Sequence, residues 1–261
     1  MDVAAYLHRI QYRGSLRPSA ETLRELHRRH LFAVPFENFD IALGIPIVLD
    51  PATLFEKIVV RHRGGFCYEL NGLFHELLLA LGFHSERLSA SVRRDDGGFG
   101  PEFDHMLLKV SLEQPWLADV GFGESFLDPL PFHPGVVEDE GRRYSVLRSN
   151  DEWQLLRLDP LGQVPLYKFR DKPHRLNEYN ARCRYHQMSP ESLFHQRRVC
   201  TRAMPDGRVT LSGLRLIVTR NSAREEFTLS GEQELRHCLR HYFGVEFEDT
   251  TDLSPLLARA A

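Results

Sequence analysis

Hydrophobic positions along the chain change their spacing twice. In the first third they recur at helical intervals. Val3, Tyr6, Leu7 and Ile10 predict a first helix, with Gly14 as its stop. Pro18-Ser19 opens a second, carried by Leu23, Leu26 and His30. Val34 to Gly44 is an irregular apolar connection whose aromatics suit either a core or a substrate cleft. Asp50-Pro51 begins a further helix, Asp as N-cap and Pro at the first helical position, through Leu54, Phe55, Ile58 and Val59. Leu70, Leu73, Phe74, Leu77, Leu78 and Leu81 then mark a strongly apolar helix stopped by Gly82.

From His84 the texture becomes alternating and β-branched. Strands are predicted over 87–93, 103–110, 116–120, 144–148, 153–158 and 164–170, with 129–142 as a proline- and acid-bearing loop. Short strands separated by turn signals suggest a small barrel or compact antiparallel sheet. The last third mixes types. Ser189-Pro190-Glu191 starts a short helix, and Pro205-Asp206-Gly207 turns a hairpin between 199–203 and 209–211. Strands follow at 214–218 and 226–229. Ser230 then caps a helix carrying Leu235, Cys238, Leu239, Tyr242 and Phe243, which Gly244 stops. Strands packed with one helix could lie as a lid over a cleft.

Composition mainly excludes. A net charge of −3 leaves no broad basic field for nucleic acid. No run approaches a membrane span, and the N-terminus lacks an apolar signal core. The four cysteines, at 67, 183, 200 and 238, make no CxxC pair and no zinc spacing, and no histidine sits in an HExxH arrangement, so no metal is expected. A cytoplasmic, reduced protein is the expectation.

Chemistry concentrates in Arg63-Gly64-Gly65-Phe66-Cys67-Tyr68-Glu69-Leu70-Asn71. Two glycines let the backbone turn tightly and approach a ligand. Cys67 falls at the N-terminus of the apolar helix, where free N–H groups and the helix dipole favour a thiolate. A lone cysteine beside apolar residues is more often packing, so partners decide the matter. If 103–110 and 116–120 form a hairpin, Val110 pairs with Trp116 and Leu107 with Asp119, and His105 and Asp119 become diagonal neighbours on one face. A carboxylate beside a histidine fixes its tautomer, and a histidine within reach of a cysteine yields a thiolate–imidazolium pair. Asp104, one residue earlier on the strand, would face the other way. Arg63 and Glu37 are either an exposed pair of little consequence or a buried pair fastening the Phe36 segment to the Cys67 turn.

The blocks Arg63–Asn71, Asp104-His105-Met106 and Asp119-Val120-Gly121-Phe122-Gly123 resemble the signature blocks of the arylamine N-acetyltransferases. Val34-Pro35-Phe36-Glu37-Asn38 and Ala203-Met204-Pro205-Asp206-Gly207-Arg208 are similar to two further blocks, and all five run in family order. The resemblance implies an α+β protein: an N-terminal helical bundle (1–83), a central β-barrel (84–188) and a C-terminal α/β lid (189–261), with a cysteine-protease-like Cys-His-Asp site at the junction of the first two. It implies Cys67 as nucleophile, His105 as base and Asp119 as orienting acid. Acetyl-CoA would be the acetyl donor, and an arylamine, hydrazine or N-hydroxyarylamine the acceptor. Phe36 and Phe122 would flank the acceptor ring, and Gly121 and Gly123 would let the backbone approach the cofactor. The protein would act as a monomer or homodimer. The barrel-to-lid connection and Thr250 to Ala261 match the family least, which bears on CoA contacts. A cysteine hydrolase or transglutaminase-like acyl transferase shares the Cys, His, Asp order but does not require the Val-Pro-Phe-Glu-Asn and Pro-Asp-Gly-Arg blocks. A binding module that keeps the fold is a third reading, and an intact triad argues against it.

Overall fold

A computed structural model describes residues 1–221 and 223–257. The last four residues of the Thr250–Ala261 segment therefore lie outside the described residues. The chain opens with helices α1 (Val3–Arg9) and α2 (Ala20–Ala33). Asp2 and Ser19 cap them by accepting from Ala5 N–H and Thr22 N–H. Gly14 does not stop α1. The helix ends five residues earlier, and Gln11 takes the left-handed conformation at φ 54°.

The supposedly irregular 34–44 connection contains strand β1 (Phe36–Glu37) and the short helix α3 (Phe39–Ala42). Helix α4 (Pro51–Phe55) has Asp50 and Pro51 in the expected capping roles and continues into a wider turn over Glu56–Val60. Helix α5 (Cys67–Ala80) runs through the centre of the molecule, with Leu70, Leu73, Phe74, Leu77 and Leu78 fully buried. Gly82 closes it at φ +85°.

Eight antiparallel strands follow: β2 (His84–Val92), β3 (His105–Ser111), β4 (Pro115–Ala118), β5 (Leu130–Pro131), β6 (Gly135–Asp139), β7 (Arg142–Ser149), β8 (Glu152–Asp159) and β9 (Gly162–His174). The region expected as a loop over 129–142 thus supplies two of them. Their order across the sheet is β5-β4-β3-β2-β9-β8-β7-β6. The two edge strands are consecutive in the chain, joined only by residues 132–134. A flat eight-stranded sheet would hold its edges about 34 Å apart at ~4.8 Å per strand. A link of that length spans at most about 14 Å. The sheet must curl until its edges nearly meet, giving a nearly closed barrel. Its inside is filled by Leu88, Leu107, Tyr144, Leu155, Tyr167 and their neighbours.

Helix α6 (Asn180–Met188), which the hydrophobic pattern does not show, leaves the barrel, and α7 (Leu193–Gln196) follows it. The latter is capped by Ser192, three residues beyond the expected start. Strands β10 (Val199–Met204), β11 (Gly207–Ser212), β12 (Arg215–Arg220) and β13 (Ala223–Thr228) form a second sheet, and β1 pairs with β10 to complete it as an edge strand. Helix α8 (Glu232–Cys238), extended by Leu239–Phe243, packs Leu235, Leu239 and Phe243 on this sheet. Its N-cap is Gly231, not Ser230, whose N–H is bound by Glu234 instead. Among the described residues no helix is long and apolar enough to cross a membrane.

Candidate active site

Cys67 is the first residue of α5 and only 3 % exposed. The glycines before it serve the protein's own chain. A Cβ on Gly64 would collide with the Pro35 carbonyl, and one on Gly65 would meet the Glu69 carboxylate at 2.7 Å. The close approach expected of a ligand is thus taken up by β1's approach and by Glu69, which accepts from Phe66 N–H at 3.0 Å. The N–H groups of Cys67 and Tyr68 meet no backbone acceptor among the described residues. They remain available as oxyanion donors at the helix start.

The β3–β4 hairpin takes the expected register. Val110 pairs with Trp116 and Leu108 with Ala118. Strand β4 ends one residue before Asp119, yet the diagonal relation survives: His105 Nε2 lies 2.7 Å from Asp119 Oδ2. Asp119 is fully enclosed by donors. Oδ2 also accepts from Tyr167 Oη at 3.1 Å, and Oδ1 accepts from Asn71 Nδ2 at 2.9 Å and Gly121 N–H at 3.0 Å. Burial alone would raise its pKa, but His105, Asn71 and Gly121 together hold the carboxyl below its ordinary range. With Nε2–H donated to Asp119, the basic nitrogen of a neutral His105 is Nδ1. Phe122 and Tyr167 hold the imidazole, each about 5 Å away between ring centroids (5.1 and 5.2 Å).

The expectation that the helix end would lower the Cys67 thiol pKa meets a stronger opposing effect. Burial pushes it well above its ordinary value, against the Met106 backbone amide, which pulls it down. A lone thiolate is disfavoured there. Were Cys67 to give its proton to His105, the resulting pair would carry no net charge beside a fixed carboxylate and would avoid much of that cost.

Asn71 is the joint between these elements. Its side chain donates to Met106 O and Asp119 Oδ1 and accepts from Val120 N–H at 2.9 Å. One α5 residue therefore sets the position of both β3 and the 119–121 segment. Gly121 packs directly on the backbone of Cys67: a Cβ there would lie 2.8 Å from Cys67 Cα. Its missing side chain is explained by that contact. Gly123 has φ +86° and packs beside Phe36 and Thr201. Phe36 is buried against Phe194, an α7 aromatic that the sequence reading omitted. Asp104 is drawn to the other side, where Arg182 Nη2 of α6 binds it at 2.6 Å.

Arg63 and Glu37 form a buried pair, Nη2 to Oε1 at 2.7 Å, within a larger cluster. Arg63 also binds Asp40 at 2.7 Å, and Lys57 binds both Asp40 at 2.8 Å and Glu69 at 2.7 Å. Three carboxylates face two cations. Burial, with Asp40 and Glu37 adding to it, pushes Glu69 up to about 7, consistent with one carboxylate holding a proton. The cluster fastens β1, α3 and α4 to the start of α5.

His27 also escaped the sequence reading, although it lies on the buried α2 face with Leu23, Leu26 and His30. Its Nε2 accepts from Asp119 N–H at 3.0 Å, and Nδ1–H donates to Leu127 O at 2.7 Å. Both bonds require neutral imidazole. Burial lowers its pKa to about 4. A depressed histidine pKa means that the unfolded chain binds a proton the folded chain refuses. His27 therefore costs stability as pH falls from about 6.5 to about 4. His27→Gln, which can keep both bonds, should flatten that part of the urea-midpoint-versus-pH curve relative to wild type. An unchanged slope would exclude His27 as its source.

Among the described residues no cluster of His, Cys, Asp or Glu could hold a metal ion. A family model described as N-acetyltransferase matches residues 19–252. The arylamine N-acetyltransferase of Mycolicibacterium smegmatis is 33 % identical over 95 % of this chain and 94 % of its own length. That of Escherichia coli is 31 % identical over 94 % and 89 %. The solved M. smegmatis arylamine N-acetyltransferase superposes with a TM-score of 0.91 at 32 % identity, covering 99 % of this chain and 98 % of that one. The Mycobacterium marinum arylamine N-acetyltransferase in complex with CoA gives 0.90 at 29 %, covering 99 % and 98 %.

Proposed function

Since the chain belongs to the arylamine N-acetyltransferase family and is an acyltransferase, we propose that it transfers the acetyl group of acetyl-CoA to arylamines, arylhydrazines or N-hydroxyarylamines through a thioester on Cys67. The observation that carries this reading is the 2.7 Å His105–Asp119 bond on a segment that packs, through Gly121, against the backbone of Cys67. Cys67 attacks the acetyl carbonyl after giving its proton to His105. The Cys67 and Tyr68 N–H groups receive the developing oxyanion. His105 returns a proton to the departing CoA thiolate, then takes one from the attacking amine. Asp119 holds the imidazole and stabilises its charged form.

Phe36 and Phe122 would flank the acceptor ring, with Phe194 beside Phe36. CoA enters by Gly123 in this reading. A cleft of about 590 Å³ lies there between the segment after Gly123 and the β10–β11 hairpin. Its wall includes Arg208, which donates to Gly123 O and has no carboxylate partner among the described residues, so its guanidinium suits a phosphate. Residues 189–261 act as the lid, 1–83 and 84–188 supply the reacting groups, and a cytoplasmic setting suits four free cysteines.

A nucleophile that must release CoA before the amine attacks dictates ping-pong kinetics. Double-reciprocal plots for acetyl-CoA and an arylamine should be parallel. Intersecting lines with no acetylated protein would establish direct transfer in a ternary complex and remove the thioester.

A further inference from the structure

A second cavity, of about 900 Å³, lies where α1, the end of α2, the turn at His62 and strand β10 meet. Its size is within the range of small-molecule sites. Its charge is one-sided: His8, Arg9, Arg13, Arg29, His62 and Arg202 line it, and among the described residues no acidic side chain does, although the Glu246 charge acts on His62. The remainder of the wall is partly apolar, with Leu7, Ile10 and Phe32. In a chain of net charge −3 this grouping runs against the overall balance.

The basic groups divide into two kinds. Arg9 belongs to the framework. It is 9 % exposed and donates to Ile58 O at 3.0 Å, Ala33 O at 2.8 Å and His62 O at 3.4 Å, so carbonyl oxygens rather than a carboxylate balance its charge. Arg202 has no such arrangement. Its Nε is buried and has no hydrogen-bond partner among the described residues. Arg29 has only Glu25 at 3.9 Å, and Arg13 has no ion-pair partner among the described residues. Arg9 and Arg202 line the same cavity, and burial, then the Arg202 charge, press the Arg9 pKa down to about 10 against the pull of Tyr6. An unpaired buried donor and adjacent cations are unfavourable by themselves. A multiply charged oxyanion in the cavity would offset the repulsion between the cations, and the planar guanidinium fork fits phosphate oxygens.

We propose that this cavity is a binding site for a small phosphate-bearing anion, held by Arg202 with Arg13 and Arg29 above the Arg9 floor. It is separate from the acetyl-transfer site. Arg202 follows Thr201 on β10, and Thr201 faces Gly123, so Arg202 points to the other face of that sheet. The proposal does not rest on the acetyl-transfer reading.

Inorganic pyrophosphate, the simplest probe with two phosphoryl groups, tests it by isothermal titration of the full chain in phosphate-free buffer. With CoA saturating the cleft beside Gly123, wild type should bind one equivalent of pyrophosphate at millimolar or lower concentration. Arg202→Gln and Arg13→Gln should each weaken binding about tenfold or more, the loss expected when a charge-assisted hydrogen bond is removed. Arg208→Gln, in the cleft beside Gly123, should leave it within about twofold. Thermal unfolding of each variant without ligand verifies that it is folded. If a variant does not fold, competition decides: pyrophosphate bound at this cavity must remain bound when CoA is saturating. No binding to wild type, loss in Arg208→Gln alone, or displacement by CoA would each overturn the proposal.

Discussion

Cys67→Ser should lose acetyl transfer by on the order of 10⁴-fold or more while remaining folded. A serine hydroxyl in place of the thiol keeps the volume near the same but offers no group that His105 can ionise as readily. Wild type mixed with acetyl-CoA alone should gain about 42 Da, one acetyl group, and Cys67→Ala should not. The other cysteines supply the control. Cys183, Cys200 and Cys238 are all buried, and burial raises each thiol, Cys183 to about 12 and Cys238 to about 11. Cys183 Sγ accepts from Gln187 Nε2 at 3.3 Å, and among the described residues neither Cys200 nor Cys238 has a histidine hydrogen-bonded to it. Alanine at any of the three should cost stability at most. Near-wild-type turnover in Cys67→Ser, or an equal loss at one of the other three with folding intact, would remove Cys67 from the mechanism.

Asp119→Asn should lower kcat/KM by at least about 100-fold, some 2.7 kcal/mol of transition-state stabilisation. Its four hydrogen-bond contacts come from His105 Nε2, Tyr167 Oη, Asn71 Nδ2 and Gly121 N–H. An amide removes the charge and turns one oxygen into a donor, so at least one of the four then faces another donor. The imidazolium loses its stabiliser and the imidazole its fixed tautomer. Since burial favours the protonated Cys67 thiol, the variant should also resist iodoacetamide near pH 6, where wild type, with its proposed cysteine–histidine pair, should react. Asp104→Asn is the comparison, because Asp104 is engaged by Arg182 rather than His105. If Asp104→Asn suppresses alkylation and Asp119→Asn does not, the orienting role belongs to the wrong carboxylate.

Elements with a strong period were readable in the sequence. Helix α5, its Gly82 stop, the Asp50-Pro51 start and the β3–β4 register all follow from spacing and cap chemistry, because local preference and burial point the same way there. Helix α6 was not readable. Its Asn-Ala-Arg-Cys-Arg-Tyr-His-Gln-Met sequence has no apolar stripe, and only Cys183 and His186 are buried. Strand β1 is too short to show a period, and its partner lies far along the chain. In the candidate site, Cys67, His105 and Asp119 could be proposed from residue type and order. His27, Tyr167 and the Lys57–Glu69 pair could not, since only tertiary packing brings them to the others. The burial that opposes the helix-end effect on Cys67 is hidden for a related reason. A helix terminus is visible in sequence, whereas the extent of burial that opposes it is not.

The β1–β10 pairing also has a consequence for biosynthesis. Phe36 pairs with Thr201 and Glu37 with Cys200, so the segment leading to the Cys67 turn depends on a strand translated much later. At about 5–20 residues per second, a ribosome exposes β1 for roughly 10–30 s before β10 exists. During that interval the β1 backbone has the Gly65 bridge but not its β10 partner to engage it. Nascent chains released before β10 would carry an exposed, sticky edge near Cys67. Premature termination just before Val199 should therefore yield aggregates rather than a lidless acyltransferase.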